Sequence, residues 1–442
     1  MNGHRGENMM ELAQILFPLH RSMTGLGNRQ SLEALSGYGL DLQTVEVPSG
    51  EQVFDWRVPD EWSIRDAFIE SADGVRRVDY RDSNLHVVNG SIGVDTEMPW
   101  EELRTHLHTC ESRPDAIPYK TSYFHREWGF CLTQRQYESM LSRKDRLFRV
   151  CIDASYEKGS LTYGELILPG KCKEEILFWT HLCHPSLAND NLSGIAVAAE
   201  LARTLASQHL QYTYRFVFAP ATLGALCWLS NNRNIADRIY AGLVLTLLGN
   251  LEELHYKQSP SGEALVDRLM ATLLGDKQSV SRYEPFGYDE RQFGTLGFRL
   301  PIGRLTRGLP EVYAYYHSSD DNLAAMNAEQ LDAALEFLLC FCNALENNKK
   351  YLATQQHGEP HLGSYGLRKS PGLLSNDDQQ RVLFWMMHLC DGSMSLLDIA
   401  ERTGYSITEI HEVAAMMQTV GLLSIARNDR SRSNSYMAKA IC

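Results

Sequence analysis

Between residues 146 and 349 the chain repeats one pattern (strand, loop, helix), and that pattern limits the folds open to it. Apolar runs at 147–152, 175–179, 214–219 and 242–248 are separated by helical stretches at 193–207, 224–238 and 327–346. Strands separated by helices cannot pair as simple hairpins; they build a mainly parallel or mixed sheet covered by helices on both faces. The expected class is therefore α/β, a mixed sheet sandwiched by helices. In such sheets functional groups collect just beyond the carboxyl ends of the strands.

The flanking regions differ in character. Residues 9–36 have a helical period (Met10, Leu12, Ile15, Leu16, Leu19), and 41–56 is extended. From 57 to 131 short β-like pieces lie beside a helical piece, 99–108, and a loop rich in aromatics. This predicts a small α+β module inserted into a discontinuous main domain of residues 1–56 and 132–350. A Gly/Pro/Ser-rich link, 358–376, precedes helices at 378–390, 395–403 and 406–419 and a β-like tail from Gly421. That spacing predicts a winged helix-turn-helix over 370–442.

Composition narrows the partners. The chain has 442 residues, with 44% hydrophobic and 22% charged, and a formal net charge of −13. That charge argues against nucleic acid or an anionic membrane and favours a small or peptide-like substrate. The start, MNGHRGENMM, lacks a basic stretch followed by an apolar run, and no segment has the roughly 20 apolar residues that cross a bilayer. A cytoplasmic protein is expected. The ten cysteines are scattered, apart from Cys340 and Cys342, with no C-x-x-C pair, which fits reduced thiols.

The stretch Ile176-Leu-Phe-Trp-Thr-His181-Leu-Cys-His184-Pro-Ser-Leu-Ala-Asn189-Asp190-Asn191-Leu-Ser193-Gly194 carries the strongest chemical signal. A buried strand ends in two histidines, a short polar loop leads to Asp190, and Ser193-Gly194 open a helix. Imidazole and carboxylate donors placed in this way can meet on one divalent ion. The bland alternative has the histidines capping a strand and Asp190 capping a helix. Burying such groups without a function is costly.

The string resembles the metal loop of zinc aminopeptidases with a phosphorylase/hydrolase-like fold, in which a strand-end His precedes an Asp-Asn-x-Ser-Gly type segment. The resemblance implies that His181 is the strand-end ligand and Asp190 the bridging ligand. Cys183 stands where that family often has an Asp orienting the histidine, and His184 and Asn189 are expected to support the ligands from behind. The segment Phe286-Gly-Tyr-Asp289-Glu290-Arg291-Gln-Phe293, with Tyr315-Tyr316-His317-Ser-Ser-Asp320-Asp321-Asn322, resembles the family's late loop. It implies that His317 is the last ligand. The alternative is that Asp289-Glu290-Arg291 is a solvated charge cluster, though a Gly/Pro-rich loop is where functional groups concentrate.

One departure bears on activity. The family has two acidic residues at a strand end, one the general base and one a ligand; Ala221 and Thr222 occupy those positions here, and Asn250 follows the next strand without a carboxylate. Losing the base would cost a factor of roughly 10²–10⁴ unless Asp289 or Glu290 substitutes. With His181, Asp190 and His317 remaining, one zinc ion is expected rather than two. Arg291 would meet a substrate carboxylate, and Tyr119, Tyr123 and Trp128 would wall the cleft unless they simply pack the module junction. His86, His106, His108 and His125 are expected to satisfy local hydrogen bonds.

The strings Phe54-Asp-Trp-Arg-Val-Pro-Asp-Glu-Trp62, Ser83-Asn-Leu-His86, Ile117-Pro-Tyr-Lys-Thr-Ser-Tyr123, Trp128-Gly-Phe-Cys131 and Gly159-Ser-Leu-Thr-Tyr-Gly-Glu-Leu166 extend the resemblance over nearly the whole chain. They are similar to bacterial aminopeptidase-like proteins associated with surface-polysaccharide or secondary-metabolite biosynthesis. Three functions stay open: a metal-dependent hydrolase of a peptide, aminoacyl or amide conjugate; an inactive binding or assembly protein; and a winged-helix regulator. The last is disfavoured. Ser406–Gln418 carries Glu409 and Glu412 and no basic residue, and Arg427, Arg430 and Arg432 fall only in the tail. Homo-oligomerisation through the winged helix is the expected alternative.

Overall fold

The computed structural model describes residues 5–142, 147–367 and 378–426. The chain divides into two compact units, Met1–Arg268 with Asp276–Leu339, and Leu269–Gly275 with Cys340–Cys442. The first unit holds an eight-stranded mixed sheet. Its strands in chain order are β1 (Gln43–Pro48), β2 (Ser160–Leu168), β3 (Glu175–His181), β4 (Thr213–Ala219), β5 (Ile239–Leu245), β6 (Leu254–Lys257), β7 (Val280–Ser281) and β8 (Ile302–Arg307). Their spatial order is β1-β2-β4-β3-β5-β8-β6-β7. The four strands β4, β3, β5 and β8 run parallel at the centre, and β1–β2, β2–β4 and β8–β6 pair antiparallel.

Every residue of β3 is buried, as expected for a strand covered on both faces. The helix Gly194–Ala206 packs on it through small residues, and only glycine fits its first position: a Cβ at Gly194 would lie 2.5 Å from the carbonyl oxygen of Leu245. Arg215 on β4 is buried between Glu165 Oε1 and Glu175 Oε2, each at 2.7 Å, which ties β2, β3 and β4 together.

Two expectations need correction. The run 147–152 belongs not to this sheet but to a second, four-stranded antiparallel sheet ordered Arg76–Asp79, Glu61–Ser71, Phe148–Glu157, Val94–Met98. The reason is visible in its pattern: Phe148, Val150 and Ile152 are buried while Arg149 is exposed, the alternation of a strand with one covered face. The four-stranded sheet thus takes one of its two inner strands from beyond residue 131. The helical stretch 9–36 is two helices, Arg5–Leu16 and Leu26–Gly37, separated at Phe17-Pro18, where proline has no N–H to continue the ladder.

In the second unit Lys350–Ala353 pairs with Asp391–Ser395 and Leu423–Ile425, beside helices Asp378–Leu389, Leu396–Thr403 and Ile407–Thr419. The last two helices begin with capping boxes, Ser395 with Asp398 and Ser406 with Glu409. Residues 368–377 of the link and Arg427, Arg430 and Arg432 lie outside the described residues. The described cysteines, Cys340 and Cys342 among them, are free thiols. No described helix is long and apolar enough to cross a membrane.

Candidate metal centre

The parallel strands deliver the chemistry. His181, the last residue of β3, sits in register with Ala219 at the end of β4. The chain then loops through His184 to Asp190, whose peptide bond to Asn191 is cis, and enters the helix at Gly194. Asp190 does not cap that helix through its side chain.

His181 Nε2 lies 2.9 Å from Asp190 Oδ1, and His317 Nε2 lies 3.3 Å from Asp190 Oδ2. One ligand atom from each of His181, His184 and Asp190 falls within 4.8 Å of the others. The His184 ring lies close to both other imidazoles, with centroids 4.8 Å from His181 and 5.1 Å from His317. His184 therefore joins the cluster itself. Burial pushes its pKa well below the usual histidine value. Burial alone would raise the Asp190 pKa, but His184, His181 and His317 outweigh it and hold the carboxyl well below its usual range.

These residues fit a zinc-type ion. Asp190 Oδ2 and His317 Nε2 are buried and lack a hydrogen-bond partner, and neutral imidazoles with one carboxylate are the donor set such an ion takes.

Other side chains hold the donors in place. Asp321 accepts from the backbone amides of Asn189 (2.8 Å) and Asp190 (2.9 Å), and the Tyr313 hydroxyl donates to Asp321 at 3.0 Å. Asn189 accepts from the amide of Gly249 at 2.8 Å, so its side chain braces the loop and not the imidazoles. Asn191 Nδ2 donates to the Leu245 carbonyl and to Thr180, and lies 3.3 Å from His181 Nδ1. The Tyr288 ring stacks on His181, Tyr316 stacks on His317, and Tyr119 meets both His184 and His317 edge-on with centroids at 5.2 Å. Arg21, 1% exposed, donates from Nε to the carbonyl of His184 at 3.0 Å.

The carboxylates of the late loop separate in role. Asp289 is fully buried, accepts from the Trp179 indole at 2.7 Å, and has its other oxygen without a partner. Burial pushes its pKa up to about 7 against the opposing pull of His181 and Trp179. Glu290 Oε1 is held by Lys257 Nζ at 2.5 Å and Arg304 Nη1 at 3.3 Å. Arg291 is half-buried, with its Nε unpartnered. The Tyr123 hydroxyl is 3.2 Å from that of Tyr119. Trp128 stacks on His106 at 3.7 Å and packs on the small module's core.

Ala221 and Thr222 follow β4, where Thr222 precedes the helix Leu223–Asn231 without a side-chain cap bond. Asn250 is nearly buried, donating to the carbonyl of Arg307 and accepting from the amide of Glu252. Sequence reasoning assigned no role to Asp321, Tyr288, Tyr316 or Arg21. The Asp four residues beyond His317 was the available signal for Asp321. Nothing local marked Arg21.

The model of a family described as a domain of unknown function (DUF4910) matches residues 10–348, and a winged helix-turn-helix model matches residues 349–425. A curated relative from Clostridium acetobutylicum, named "Putative polysaccharide biosynthesis protein with aminopeptidase-like domain", is 39% identical over 426 residues, which is 95% of this chain and 96% of the relative. A solved structure from the same organism, described as a "putative peptidase", has a TM-score of 0.90 and 38% identity, covering 96% of this chain and 97% of that one. A zinc aminopeptidase from Bacillus subtilis shares the fold, with a TM-score of 0.56 at 14% identity over 78% of this chain and 94% of its own.

Proposed function

The chain belongs to the family described as a domain of unknown function (DUF4910), and on that premise we propose that it is a metal-dependent, aminopeptidase-like hydrolase of a small peptide, aminoacyl or amide conjugate. The observation that carries this reading is the convergence of His181, His184, His317 and Asp190 at the carboxyl ends of parallel strands. One zinc ion is proposed, held by His181, Asp190 and His317, with His184 close enough to join them. When bound, such an ion polarises a carbonyl and makes hydroxide available near neutral pH.

The chain's own residues would supply the rest. Asp289, with one oxygen fixed by Trp179 and the other free, is poised to accept a proton and return it to a leaving amine. Glu290 is neutralised by Lys257 and Arg304, so Asp289 is the better placed of the two. Tyr119 and Tyr123 would wall the approach, and Arg291 would meet a substrate carboxylate. The name of the relative supports a place in polysaccharide biosynthesis. A cytoplasmic location is proposed with it. For the winged helix a protein-contact or dimerisation role is proposed, since its last helix carries Glu409 and Glu412 and no Lys or Arg.

Ala221 and Thr222 favour a second reading, a catalytically silent protein that keeps the cleft for binding. Elemental analysis of the purified protein, followed by turnover assays on aminoacyl amides, separates the two. About one zinc per chain with turnover supports the hydrolase. A folded protein that holds no metal after zinc is added back would remove that reading.

A further inference from the structure

A cavity of about 240 Å³ is lined among others by Arg57, Arg126, Lys158, Asp60, Tyr123 and Tyr156. It is linked to the cluster through two tyrosines. The Tyr123 hydroxyl is 3.2 Å from that of Tyr119, and Tyr119 lies edge-on to His184 and His317.

The charge of this cavity runs against that of the chain. Three basic side chains face a single acid in a protein whose net charge is −13. Asp60 is engaged by Lys158 at 2.6 Å and reaches Arg126 only at 4.0 Å. Arg57 meets no carboxylate among the described residues; it donates to the carbonyl of Gly50 at 3.0 Å and to Gln52 at 3.3 Å. Arg126 lies over the Tyr156 ring, 4.6 Å from its centroid, which fixes a guanidinium plane against an aromatic wall. Tyr156 is itself anchored by its hydroxyl on the carbonyl of Gly90. Two guanidinium groups with unused donors, set among aromatic rings, suit an oxyanion attached to a ring or an amide.

We infer that this cavity is an anion subsite of the substrate cleft, taking a carboxylate or phosphate group of the conjugate through Arg57 and Arg126, with the ring or amide next to it packed on Tyr156 and Tyr123. The inference rests on the hydrolase reading for its part in turnover, but the binding it describes does not.

The test is therefore made on binding. The purified protein is titrated calorimetrically with phenyl phosphate, with hippurate, and with benzamide as the neutral control. Either anion should bind at least about tenfold more tightly than benzamide, and the stronger of the two identifies phosphate or carboxylate as the natural group. Arg57→Ala and Arg126→Ala should each weaken anion binding by about tenfold. Arg65→Ala, which removes an exposed arginine paired with Asp153 outside the cavity, should leave it unchanged. Binding should survive in His317→Ala, whatever that variant does to metal and turnover. Equal affinity for benzamide, or anion affinity unaltered in the Arg57→Ala/Arg126→Ala double variant, would overturn the subsite and leave the metal centre untouched.

Discussion

The indole nitrogen of Trp179 donates to Oδ2 of Asp289 at 2.7 Å, joining β3 to a loop 110 residues further along the chain. This contact favours the charged carboxylate and opposes the burial that pushes Asp289 up to about 7. If Asp289 handles the proton, activity should rise with pH through an apparent pKa near 7. Trp179→Phe should move that limb to higher pH, and Asp289→Asn should lower kcat by roughly 10²–10⁴. A pH–rate profile with the limb unmoved in Trp179→Phe would argue against Asp289.

The same carboxyl has a consequence for stability. Its folded pKa is raised, so between the ordinary value of 3.8 and about 7 the folded state binds more protons than the unfolded state. Its contribution is therefore most favourable at low pH and is lost as pH rises through 7. Asp321, also pushed up to about 7 by burial, acts in the same direction. Asp289→Asn should flatten, but not abolish, the loss of stability between pH 5 and 8 in denaturant titrations.

Metal content is predicted at about one zinc per chain, with His181→Ala and His317→Ala each losing it. Dialysis against a chelator followed by elemental analysis checks this. Retention of full zinc in both variants would place the ion elsewhere.

Asp321 holds two buried amides, those of Asn189 and Asp190. Asp321→Ala would leave both unsatisfied, at about 1–3 kcal/mol each. Urea unfolding should show this loss, and zinc affinity should fall with it because Asp190 is no longer held. Asp321→Asn, which keeps one acceptor, should recover part of both.

Arg215 is the counter-ion for Glu165 and Glu175 inside the sheet. Arg215→Ala strands two buried carboxylates and should cost about 3–5 kcal/mol, read as a lower denaturation midpoint. Breaking an exposed pair such as Arg65 with Asp153 should leave the midpoint nearly unchanged by the same measurement.

Much of the site was legible because its parts are local. His181, His184 and Asp190 lie within eleven residues of the apolar run 175–179, and the spacing of strand, loop and helix implies where they end up. His317 needed the resemblance of a distant loop. Asp321 was marked only by its spacing from His317, and Arg21 by nothing local, since what they hold is an amide or a carbonyl more than a hundred positions away. The run 147–152 was misplaced because an apolar strand announces burial but not its partners.

The sequence by itself determined the α/β class, the winged helix and the donors most suited to an ion, since periodicity and side-chain chemistry are properties of short stretches. Only the tertiary structure decided that His184 packs against both His181 and His317, that Asn191 approaches His181, and that Glu290 is neutralised while Asp289 is not. Those outcomes depend on which strand ends, loops and buried cations share one small volume, and that is settled by packing across the sheet.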